Sequence, residues 1–291
     1  MLRLVTTGGS GTSMAIEPAR EAVVSWNSAA PAGRIELSVL RSDGARSGWL
    51  PYATWNETER RSLSGRDEVA GIELDVLRAP SEIVAIDVRA DAPLDCVAVS
   101  TPFPARAGAS APALDWLLDV PQRSQYVEAY PEQRGWCSPA VLSMLLSYWD
   151  TELDVAEVAR RVLDRSYDGT GNWAFNVALA GSLGLRGVVT HLRDLASAER
   201  IIAAGIPLAL SISWKSGELP GAPLDASDGH LIVLCGFGAD GAAVVNDPAQ
   251  PAVRASYARV ALERAWLDHG GIAYVIAPCD RDAELLELVN G

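Results

Sequence analysis

The chain has 291 residues, 49% of them hydrophobic, enough for two domains or one large one with a buried core. A formal charge of -13 excludes the basic surface that tracking a nucleic-acid backbone requires and disfavours anionic membranes. No apolar run is long enough to span a bilayer.

Residues 1–101 read as β. Ile35, Leu37 and Val39 alternate with Glu36 and Ser38, and Ile72, Leu74 and Val76 alternate with Glu73 and Asp75. Short strands are also expected at 83–88 and 96–99, separated by turn-like groups such as Ser42-Asp43-Gly44. This spacing predicts a β-sandwich accessory domain, somewhat similar to a fibronectin- or Ig-type module. The Pro- and Ala-rich residues 102–113 read as a linker.

From 114 to 291 the pattern becomes mixed. An apolar helix is expected to begin at Ser138 or Pro139, since proline fits a first helical turn. Asp154-Val155-Ala156-Glu157 looks like a capping box. Further helices are predicted at 173–183, ending at Gly184, and at 195–204, ending before Gly205 and Pro207. Strands follow at 208–214, 230–237 and 243–246, then a helix at 258–267 and a strand at 272–277. Helices first and strands later describe an α+β domain, not βαβ alternation. Gly236-Phe237-Gly238-Ala239-Asp240-Gly241 matches a dinucleotide fingerprint, but Ala243 onward reads as a strand where that site needs a helix, so a hairpin is expected.

The cysteines Cys96, Cys137, Cys235 and Cys279 are scattered, with no CxxC spacing, and support neither a zinc site nor a disulfide framework. Free thiols suit a reducing compartment. The first residues lack the apolar core of a signal peptide. A cytoplasmic location is therefore expected, or a secreted one if a leader has been trimmed away.

Cys137 stands out because it lies at the start of the apolar helix, where the dipole and free N–H groups favour a thiolate. The chain has three histidines. His191 ends a short strand and is expected in a surface loop, while His269 fits a helix C-terminus, where a structural role suffices. His230 opens an apolar strand after the polar Asp225-Ala226-Ser227-Asp228-Gly229, which suits a rigidly held base. A hairpin through Ala239-Asp240-Gly241 would bring Asp247, in Asn246-Asp247-Pro248, beside His230. An Asp there fixes the imidazole tautomer. Asp225 and Asp228 beside His230 weakly suggest a metal, or a preference for basic substrates, but solvated loop carboxylates are the simpler reading. No metal or organic cofactor is expected.

Several segments in register resemble a C39-like peptidase domain of the papain-like cysteine hydrolases over about residues 118–278. They are Val120-Pro121-Gln122-Arg123-Ser124-Gln125, Gly135-Trp136-Cys137-Ser138-Pro139-Ala140, Gly171-Asn172-Trp173, Gly205-Ile206-Pro207, Gly229-His230-Leu231-Ile232-Val233 and Asn246-Asp247-Pro248. The resemblance implies a papain-like fold with Cys137 as nucleophile, His230 as base and Asp247 as its orienting acid. It also implies an upstream glutamine at the oxyanion hole. Gln125 fits that position, with Gln133 and Gln122 as alternatives. Trp173 and Trp136 are candidates for the substrate cleft, with core packing equally open to both. The expected activity is hydrolysis of a peptide or amide through an acyl-enzyme. The alternatives are acyl transfer on the same triad, or a non-catalytic binding protein on a papain-like fold. The N-terminal strands could hold a protein or glycan ligand.

Overall fold

The computed structural model describes residues 1–103, 116–133 and 135–291, so the linker expected at 102–113 lies almost wholly outside the described residues. In chain order the elements begin with β1 (Leu2–Asn27), β2 (Gly33–Arg41), β3 (Leu50–Trp55), β4 (Arg60–Ser62), β5 (Gly71–Glu73), β6 (Val76–Ser100) and β7 (Trp116–Leu117). Then come α1 (Cys137–Tyr148), α2 (Val155–Val162), α3 (Trp173–Ser182), β8 (Leu185–His191), α4 (Leu195–Ala203), β9 (Leu208–Trp214), β10 (Ser227–Phe237) and β11 (Ala243–Asn246). The chain ends in β12 (Arg254–Tyr257), α5 (Arg259–Leu267), β13 (Ile272–Pro278) and α6 (Asp282–Asn290). Two compact units emerge: Met1–Pro102 with Arg161–Thr190, and Phe103–Arg160 with His191–Gly291. Residues 161–190 thus group with the N-terminal strands, where the sequence suggested one division near residue 102.

The first unit is mostly β, but not the two-sheet sandwich expected. Its strands form one half-barrel sheet in the order β1-β6-β2-β3-β4, with β5 on β6. The short strands read at 83–88 and 96–99 are parts of the 25-residue β6. Register shifts bend β1 and β6 along their length, so that both ends of β1 pair with the end of β6: Leu2 and Val23 each face Ser100. A bulge adds an unpaired residue and increases local twist, which curls one sheet and breaks the alternation a sequence reading follows. The run through Leu74 is also not one strand. Leu74 takes φ 56° in the turn between β5 and β6 and is exposed. The concave side is filled by Trp26, Leu37, Tyr52, Ile86 and Val97, joined by Ala174 and Phe175 of α3. Trp26 meets Phe175 edge-on at 5.8 Å. The Asn27 carboxamide donates to Gly187 O and accepts from Gly187 N, so a buried amide is paired on both sides.

The second unit is α+β. Its sheet runs β12-β11-β10-β9-β13, with β7 on the edge of β10. β10 and β11 form the expected antiparallel hairpin, turning at Gly241 with φ 80°. The Gly-rich segment is therefore a hairpin turn and not a phosphate loop. α1 packs against β9 and β10 and is buried from Ser138 to Ser147, as its lack of a polar face requires. The Asp154 carboxylate accepts from Glu157 N at 2.7 Å and starts α2; Asp194 does the same for α4 through Ser197 N. No helix among the described residues is long and apolar enough to cross a membrane.

Candidate active site

Cys137 is the first residue of α1, after the N-cap position Trp136. No acidic side chain occupies the first turn, so nothing there competes with a thiolate for the positive helix end. The backbone N–H groups of Ser138 and Leu231 donate to the sulfur, and the His230 side chain is hydrogen-bonded to it. Burial opposes ionisation of Cys137, yet the hydrogen bond and charge of His230 outweigh it and leave the thiol below its ordinary range. Cys235 shows the contrast: on β10, it is pushed up to about 12, chiefly by burial.

His230 lies on β10 opposite Ile212 of β9, with its side chain 3% exposed. Its Nε2 lies 2.7 Å from Asp247 Oδ1, leaving Nδ1 as the ring nitrogen for the sulfur. Trp214 of β9 meets the imidazole ring in a T-shaped contact at 5.8 Å. Burial would lower the His230 pKa, but Asp247 and Cys137 raise it to about 9.

Asp247 follows β11 and is fully buried. Burial works against its charge, but His230, the Tyr257 hydroxyl and the Ala249 N–H hold the carboxyl below the usual range. The proline after it serves the site too: Pro248 O accepts from Gln125 N at 2.9 Å. Asn246 donates from Nδ2 to Val120 O and Pro121 O, tying the same upstream segment to β11.

Of the three glutamines weighed, Gln125 is buried, and its Oε1 has no partner among the described residues. Gln133 and Gln122 are exposed, and Gln122 Oε1 accepts from Arg254 N. Trp136 is half-buried, with its ring 5.3 Å from the exposed Tyr130. Trp173 lies in the first unit, where it opens α3 and donates its N–H to Asp75 at 2.7 Å.

His191, expected in a surface loop, is buried at the end of β8, and burial pushes it down to about 3. His269 follows α5, as expected, with its N–H on Trp266 O. Among the described residues no group of three or more His, Cys, Asp or Glu is placed to hold a metal ion. The sequence reading missed Tyr257 entirely, because β12 is short and its phenol reaches Asp247 only through the sheet register.

The Peptidase_C39 like family model matches residues 117–274, more than half of the chain. The chain belongs to this family. A solved structure described as a C39-like peptidase from Bacillus anthracis is 17% identical, covering 55% of this chain and 96% of that one, with a TM-score of 0.42. A double glycine motif protease from an AMS/PCAT transporter, solved with its leader peptide, is 18% identical. That match covers 57% of this chain and 97% of the other, with a TM-score of 0.39. No curated protein matches the sequence.

Proposed function

We propose that the chain is a cysteine peptidase or related amide hydrolase working through a Cys137–His230–Asp247 triad. The observation that carries this reading is the buried pair His230–Asp247, with the helix-start thiol of Cys137 hydrogen-bonded to the same imidazole. A depressed thiol beside a raised imidazole favours the thiolate–imidazolium form, which is the reactive one.

The Cys137 thiolate attacks the substrate carbonyl carbon and forms a C–S bond. The oxyanion is met by the Cys137 N–H and by the side-chain N–H of the buried Gln125. The C–N bond breaks as imidazolium passes its proton to the leaving amine. His230 then takes a proton from water, hydroxide adds to the thioester, and cleavage of the C–S bond releases the acid and restores the ion pair. Trp136 and Tyr130 offer an aromatic surface beside the nucleophile for the substrate chain.

The test is turnover of a mixed peptide library followed by mass spectrometry, with and without added amines. The wild type should release new termini, and Cys137→Ala should release none. Amine adducts in place of acids would make the protein an acyltransferase. Equal turnover in Cys137→Ala would end the thiol mechanism.

A further inference from the structure

We propose that Tyr257 is a positioning residue of the triad, holding Asp247 through a hydrogen-bonded chain that begins on the connection between β9 and β10. The proposal rests on the triad reading above.

Asp247 has no access to water, so each carboxylate oxygen depends on protein donors. Oδ1 faces His230 Nε2 at 2.7 Å and Ala249 N at 3.0 Å. Oδ2 accepts from the Tyr257 hydroxyl at 2.6 Å. Tyr257 is 1% exposed, at the end of β12. Gln250 donates from Nε2 both to the Tyr257 oxygen, at 3.3 Å, and to Gly221 O, at 2.6 Å.

These contacts fix the order of the protons. The amide has two N–H donors, and both are used. A reversed amide would set its oxygen against the Gly221 carbonyl, acceptor against acceptor. The Tyr257 oxygen therefore accepts from Gln250, and its own proton points to Asp247. Burial and the neighbouring carboxylate hold Tyr257 well above the ordinary phenol range, so it remains a neutral donor wherever the triad operates.

The 215–226 connection is tied to the triad at a second point. Trp214 Nε1 donates to Leu224 O at 3.3 Å, and the Trp214 ring stands against His230. One tie leads through Gln250 and Tyr257 to Asp247, the other through Trp214 to His230. A triad requires its acid to keep the imidazole in one tautomer and one orientation. If the phenol proton is removed, Oδ2 is stranded in a dry site. The carboxyl must then rotate or take up a proton, and either change weakens the Oδ1 bond to His230. The titratable groups facing this carboxylate are His230 and Tyr257, with Cys137 facing His230 in turn.

The test is the pH dependence of Cys137 alkylation by iodoacetamide, measured with thermal unfolding, in wild type, Tyr257→Phe and Gln250→Ala. Tyr257→Phe keeps the ring and should slow labelling near pH 6–7 by about tenfold, the size of one charge-assisted hydrogen bond, and move the profile toward an ordinary thiol. Gln250→Ala, at a half-buried site, should move the same way by a smaller factor. A purely structural tyrosine would lower the unfolding temperature and leave the profile in place. An activated wild-type profile shared by both variants overturns this proposal alone. An ordinary wild-type profile overturns the triad reading and this proposal with it. If Tyr257→Phe does not fold, the Gln250→Ala profile decides: its coincidence with wild type overturns the chain.

Discussion

Asp247 in the second unit and Asp75 in the first are both buried, yet their carboxyls lie on opposite sides of the ordinary carboxylate range. Burial raises both. At Asp247 the His230 imidazolium and two further donors more than offset it. At Asp75 burial dominates, the Asp164 charge adds to it, and the N–H donors of Trp173 and of Asp75 itself leave the pKa at about 7. The Asp164 carboxyl accepts from Ser62 N, Ser166 N, the Ser166 hydroxyl and Asn172 Nδ2, which hold it in place. The lesson is that burial supplies only a penalty. The partner decides whether a carboxyl stays an anion fit to orient a base or becomes a group that takes up a proton near neutrality.

The largest test of that contrast takes the cation away from Asp247. His230→Ala leaves a buried carboxylate without its counter-charge, which should cost about 3–5 kcal/mol at pH 7. Asp247 should then behave as Asp75 does. Its pKa rises, so part of the loss should return as pH falls and the carboxyl protonates. Denaturant unfolding at pH 5 and pH 8 measures this, and an unchanged midpoint at both would break the comparison.

Gln125→Ala should lower turnover by about 10²–10³-fold, the usual loss for one oxyanion donor. It should leave Cys137 alkylation nearly unchanged, because alkylation builds no oxyanion. Full turnover in this variant would remove Gln125 from the site.

Asp75→Asn is expected to have the smallest effect on turnover, and a stabilising one on the fold. The folded pKa of Asp75 lies above its unfolded value of about 3.8, so its contribution is fully present below that pH and is lost as pH rises through about 7. The amide abolishes this dependence. The variant should match wild type near pH 4 and exceed it by a few kcal/mol, in order of magnitude, near pH 8. Parallel stability–pH curves would contradict the assignment.

The second unit was far more legible in the sequence than the first. β9 and β11 fall where the apolar runs placed them, and α1 begins within two residues of the expected start, because proline, capping Asp and terminal glycine act locally. The closeness of His230 and Asp247 was readable because a two-strand hairpin is a local structure that converts spacing into proximity. Tyr257, Gln250 and Gly221 were not, since their link depends on β12 pairing and on a turn that sequence alone does not shape. In the first unit, bulges in β1 and β6 interrupt the alternation and disguise two long bent strands as several short ones. Its grouping with residues 161–190 rests on contacts such as Asn27 with Gly187, 160 residues apart in sequence. No periodicity records such a contact.

The most direct measurement is the rate of Cys137 alkylation by iodoacetamide against pH, mapped by mass spectrometry, in wild type and His230→Ala. An activated pair predicts rapid labelling well below pH 8 in wild type, lost in the variant. Slow labelling with an ordinary thiol titration, the same in both proteins, would contradict the catalytic reading of this site.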